Sequence, residues 1–100
     1  MPNPVDRIDL LVLGTVNASL KRQISADELS RCLRSADPEP WLVHVATFFG
    51  EVSPGLVVDF ARAHDVDRRR LSRAYAATKA RTGIVNAELE ARLDTLAHAS

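Results

Sequence analysis

The sequence predicts an all-α fold, a compact domain of five or six helices. Three observations carry that expectation. Ala and Leu are the commonest residues, and both favour helix. Capping residues, prolines and glycines fall at helix-length intervals. Between them, apolar residues recur every three or four positions, the period of a helix with one buried face. With 100 residues and no Pro/Gly/Ser-rich linker, the chain reads as one domain over 1–100.

The first segment, about Pro4 to Arg22, repeats Val5, Ile8, Val12, Val16 and Leu20 at helical spacing. Leu10 to Leu13 also fits a short strand, and Gly14 with Thr15-Val16 weakens the helix. Ile24-Ser25-Ala26-Asp27-Glu28-Leu29 is a helix start. Ser25 caps the free amides, Glu28 reaches back to the Ser25 N–H, and Ile24 staples onto Leu29. Leu29, Cys32, Leu33 and Ala36 line that helix's inner face. Asp37-Pro38-Glu39-Pro40 breaks the chain and opens the next helix, because first-turn prolines cost no helical hydrogen bond. Trp41, Val45, Phe48 and Phe49 form its face, and Gly50 is placed to end it. Ser53-Pro54 starts another helix, with Val57, Phe60 and Ala61 inward. Near the C-terminus, Gly83 reads as a stop and Asn86 as a cap. Leu89, Leu93 and Leu96 then make a stripe, with Glu88, Glu90, Arg92 and Asp94 outside it.

Composition excludes several classes. Hydrophobic residues are 46% and charged residues 26%, too apolar for a disordered chain. The longest apolar run, Leu10 to Leu13, is far short of the roughly 18 residues of a membrane span. The start shows no basic region ahead of an apolar one, so a cytoplasmic location is expected. The single Cys32 forms no internal disulfide and reads as a small buried hydrophobe. There is no Gly-rich phosphate loop, His-Glu-x-x-His, Gly-x-Ser-x-Gly or cysteine cluster. His44, His64 and His98 are scattered, and His64 suits the negative end of a helix. Neither an enzyme, a metal site nor a cofactor is expected.

Formal net charge is zero, but its distribution is uneven. Residues 1 to 61 carry net −3, residues 62 to 81 net +5, and residues 82 to 100 net −2. The basic window holds Arg62, Arg68, Arg69, Arg70, Arg73, Lys79 and Arg81 against Asp65 and Asp67. Local charge sets the field felt by a phosphate within a Debye length of about 8 Å. A solvated helix face is the plain alternative for such a run.

Residues 57 to 76 read Val-Val-Asp-Phe-Ala-Arg-Ala-His-Asp-Val-Asp-Arg-Arg-Arg-Leu-Ser-Arg-Ala-Tyr-Ala. This stretch resembles the helix-turn-helix of bacterial and phage DNA-binding regulators; the resemblance covers residues 57–76 only, and the helix-turn-helix it implies would span about 54–81. The resemblance places the small Ala61 where the helices cross. It places Asp65 at a left-handed turn position usually held by Gly, Val66 as an apolar plug, and Leu71 as the inward residue of the second helix. Asp67 can cap that helix, which would run from Arg68 to about Lys79. Leu71, Ala74, Tyr75 and Thr78 would then face in, and Arg68, Arg69, Ser72, Arg73 and Ala76 would face out.

By that resemblance the outer stripe enters the major groove of double-stranded DNA, and Arg62, Lys79 and Arg81 meet phosphates. The expected function is a sequence-specific transcriptional regulator. The alternative is a protein-interaction module of the same shape, such as an anti-activator or antitoxin-like partner, because Asp65 and Asp67 put negative charge near the face. A homodimer is expected, since two-fold pairing doubles the phosphate contacts. Its first candidate seam is Leu89, Leu93 and Leu96 on a helix over 86–98. The second is Val5, Ile8 and Val12.

Overall fold

The computed structural model describes residues 4–35 and 37–99, with side chains described from Arg7 to Leu96 apart from residue 36. Val5, Ala36 and His98, named above, lie outside the described side chains. Among the described residues there are six α-helices and no strand: α1 Pro4–Leu20, α2 Ala26–Arg34, α3 Leu42–Glu51, α4 Pro54–Ala63, α5 Arg68–Thr82 and α6 Ala87–Ala99. The molecule is compact, 35 × 29 × 22 Å. No helix is long and apolar enough to cross a membrane.

The local signals act mostly as expected. Gly14 and Thr15-Val16 do not interrupt α1, because Val12 and Val16 are fully buried and their packing outweighs the propensity deficit. Ser25 Oγ accepts from the Glu28 N–H at 3.1 Å and caps α2. Asp67 Oδ1 accepts from the Arg70 N–H at 2.9 Å and caps α5. Gly83, at φ 75°, ends α5 in the left-handed conformation that glycine adopts freely. Ser53 stands at the cap position of α4 without a side-chain hydrogen bond, so Pro54 marks that start.

Two boundaries differ from expectation. Glu39–Trp41 is a separate 3₁₀ turn ahead of α3, which leaves Trp41 only partly buried. Gly50 lies inside α3, not at its end. The helix continues to Glu51 and closes with the Val52 N–H on the Phe48 carbonyl.

Helix α3 is the hub, packing on α1, α2, α4 and α5, while α6 lies against α4 and α5. The core is aromatic at its centre. Phe48 meets Phe60 at 5.5 Å and Phe49 at 5.3 Å, and Phe49 meets Tyr75 edge-on at 5.4 Å. All three Phe rings are fully buried, and Tyr75 nearly so. The Tyr75 hydroxyl accepts from the Asn86 N–H, and the Asn86 side chain caps α6 and donates to the Phe49 carbonyl. Asn86 therefore fixes where α6 begins relative to α3 and α5.

That anchoring corrects the first expectation for a dimer seam. Leu89 is fully buried and Leu93 is 7% exposed, both within the chain's own core. Only Leu96 of that stripe keeps partial exposure. In the second stripe Val12 is fully buried and Ile8 packs against the core. A stripe at helical spacing reports that a face is covered, and here the covering comes from the same chain.

A candidate nucleic-acid interface on α5

The α4–turn–α5 segment folds around its small and apolar residues. The Val66 N–H reaches back to the Ala61 carbonyl at 2.8 Å, and Asp65 between them holds φ 58°. Asp takes this left-handed conformation more readily than most side chains. Ala61, Val66 and Leu71 are buried together at the inside of the bend. The turn is also tied from outside. His64 Nε2 meets Asp9 Oδ1 of α1 at 2.8 Å, its ring stacks on Phe60 at 4.3 Å, and Arg34 of α2 donates to the His64 carbonyl. His64 therefore caps α4 and pairs with α1, a contact between residues 55 positions apart that no local pattern shows.

Helix α5 divides into faces at about 100° per residue. Leu71, Tyr75 and Thr78 point into the core and are buried. Arg69, Arg73, Ala76 and Ala80 form the opposite stripe, all exposed. The side chains of Arg69 and Arg73 form no hydrogen bond or ion pair among the described residues; Arg73 faces solvent, and Arg69 stands near enough to the Asp67 carboxylate for its charge to act on it.

The other sequence-selected residues occupy the flanks. On one flank runs α6. Lys79 Nζ pairs with Glu90 at 2.8 Å, and that contact raises the lysine pKa. Arg68 Nη1 reaches the Leu96 carbonyl at 3.5 Å. Ser72, Ala76 and Lys79 share a groove with Glu90, Leu93 and Asp94. Arg62 lies on the last turn of α4, beside Asp65, Arg68 and Leu96. On the other flank runs the end of α2. There Arg81 pairs with Glu39, and Arg70 and Arg73 border a cleft with Arg34. The eight sequence-selected residues thus do not form one surface. Arg69, Arg73 and Ala76 lie together, while Lys79 and Arg81 each hold a carboxylate on opposite sides.

Exposed pairs of this kind are worth little, about 0–1 kcal/mol, so a phosphate can compete for either cation. Arg34 and Arg70 escape a motif-level reading. Arg34 lies in another helix, and Arg70 stands one step off the outer stripe.

The Asp67 carboxyl is held below the usual carboxylate range, first by the Arg70 backbone N–H it accepts, and by the nearby Arg70 and Arg69 charges. It stays ionised as a cap, and partly offsets the field of those arginines.

No protein-family model matches the chain, and neither a curated protein nor a solved structure matches it.

Proposed function

We propose that the protein is a DNA-binding regulator that lays α5 in a major groove of double-stranded DNA. The observation that carries this reading is the exposed stripe Arg69, Arg73, Ala76 and Ala80, in which neither arginine side chain is held in a hydrogen bond or ion pair among the described residues. Arginine in that position gives two parallel hydrogen bonds to guanine O6 and N7, and Ala76 leaves room for close approach. The bend at Asp65 and its tie to α1 through His64 support the reading, because a recognition helix needs a rigid mount. Arg62, Arg68, Ser72, Lys79 and Arg81 would serve as flanking contacts, with Lys79 and Arg81 exchanging carboxylate for phosphate. No cofactor is needed for occupancy of a site.

A palindromic site needs two copies of the chain. With Leu89 and Leu93 committed to the core, the large apolar side chains left exposed among the described residues are Leu10, Leu11, Val43 and Val85, and the adjacent Leu10 and Leu11 of α1 are the pair proposed to support a homodimer.

The test is binding to a library of genomic duplexes followed by anisotropy titration at several salt concentrations. Wild-type protein enriches a defined site, and its affinity falls steeply with salt as counterions are released. Arg69→Glu and Arg73→Glu abolish binding while the circular-dichroism melt stays unchanged. Salt-independent binding, or no binding to any duplex, refutes the reading.

The protein-interaction alternative draws on one observation, the acidic α6 along the flank of α5, with Glu90 already holding Lys79. Tight capture of a protein partner by a chain that ignores DNA would favour it.

A further inference from the structure

The two walls of α5 differ in charge, and the difference assigns one of them a ligand. Measured round the helix from the outer stripe of Arg69, Arg73 and Ala76, each flank stands about 80–100° away. In a major groove those flanks face the two sugar–phosphate backbones. The α6 flank is mixed in charge, with Glu90 and Asp94 beside Lys79 and with Arg68 further along. The α2 flank carries a cleft of about 170 Å³ bordered by Arg34, Arg70 and Arg73, with Leu33, Pro38 and Ala77 in its lining.

Three arginines from two helices thus line one small cleft. Bringing like charges together is unfavourable unless an anion joins them. The carboxylates nearby offset these charges only in part. Asp67 caps α5 and weakens the Arg70 field, Asp37 accepts the Glu39 N–H, and Glu39 holds Arg81. Arg34 is fixed in place by donating to the His64 carbonyl, while Arg70 and Arg73 have no described acceptor for their side chains. The Cys32 thiol in the cleft lining has its pKa pushed up to about 11 by burial, so it stays neutral and does not oppose an anion. A lining that combines Leu33, Pro38 and Ala77 with arginines matches a deoxyribose followed by its phosphate.

We propose that the Arg34–Arg70–Arg73 cleft seats one backbone phosphate of the DNA strand on the α2 side of the groove. This rests on the reading of α5 as a groove-binding helix. Arg70 supplies the mobile donors and Arg34 a fixed second charge, while Arg73 adds its charge from the outer stripe, where its donors face the bases.

The experiment is an anisotropy titration of wild-type protein and Arg70→Gln against a selected duplex and a scrambled one, over a range of KCl. Arg70 is exposed on the helix surface, and a thermal melt checks that the variant folds. Arg70→Gln should weaken both duplexes by the same factor, on the order of tenfold, and reduce the magnitude of the log–log salt slope by about 0.9. A second arm replaces single phosphates of the selected duplex by neutral methylphosphonates. Wild-type protein should lose affinity at one α2-side position, and Arg70→Gln should be insensitive to the same replacement. If wild-type protein binds duplex DNA but Arg70→Gln leaves slope and affinity unchanged, or alters sequence preference instead, the cleft proposal falls and the DNA reading stands. If wild-type protein binds no duplex, both fall together.

Discussion

Leu93 separates a core helix from a dimerisation helix, and its truncation can be worked through in numbers. Leu93→Ala removes three carbon atoms. At about 0.8 kcal/mol per buried methylene the transfer loss is about 2.4 kcal/mol. A cavity contribution adds to this only where the surroundings stay open after truncation. Leu93 is 7% exposed and borders the groove between α5 and α6, so part of its space is already accessible and the cavity contribution is small. A loss of about 2–3 kcal/mol is expected. Leu89 is fully buried, so Leu89→Ala should reach about 3–5 kcal/mol. Leu96, partly exposed at the far end of α6, should cost under about 1 kcal/mol. The assay is urea unfolding followed by circular dichroism and Trp41 fluorescence, at two protein concentrations tenfold apart. All three losses should be independent of concentration, because the contacts lie within one chain. A Leu93→Ala midpoint equal to wild type, or a loss that shifts with protein concentration, would refute the placement of α6 in the core.

The remaining expectations concern the turn, the caps and charge. Asp65→Gly should stabilise the chain by up to about 1 kcal/mol, because φ 58° costs glycine nothing; unchanged or lower stability in thermal melts would count against the left-handed turn. Gly83→Ala should destabilise by about 1 kcal/mol at the α5 stop, read in the same melts. Asp67 has a folded pKa below its unfolded value, so its capping stability is present above the unfolded pKa near 4 and is lost as pH falls through the folded value. Asp67→Ala should remove that part of the acid dependence in pH-stepped urea melts. Cys32 moves the other way, from 9.0 to about 11, so its contribution is complete below pH 9 and is lost towards pH 11. Cys32→Ala should flatten stability over that alkaline window. Glu90→Gln frees Lys79 and removes a negative charge beside α5, so duplex affinity should rise and its salt dependence steepen; an unchanged titration would show that the α6 flank stays clear of DNA.

Several helix boundaries, though not the end of α3, which runs past Gly50, were legible in the sequence because they are set within three or four residues. The Ser25 and Asp67 caps, the Gly83 stop and the Asn86 cap are each local hydrogen bonds or backbone conformations. The outward position of Arg69, Arg73 and Ala76 was legible for the same reason, since Leu71, Tyr75 and Thr78 fix the rotation of α5. The 3₁₀ turn at Glu39–Trp41 was not, because prolines that permit an α-helical start also permit the tighter turn.

What periodicity leaves open is the identity of the neighbour. The stripe Leu89, Leu93 and Leu96 shows that α6 has a covered side, and says nothing of whether the cover is another copy or the same chain. Asn86 settles that through the Phe49 carbonyl and the Tyr75 hydroxyl, residues 37 and 11 positions away. Likewise Arg34 borders a cleft with Arg70, and Glu90 meets Lys79, only because α2 and α6 pack on opposite flanks of α5. Charges on separate helices become neighbours through the burial of apolar faces that carry no charge, so the chain order of those charges cannot reveal the surface they form.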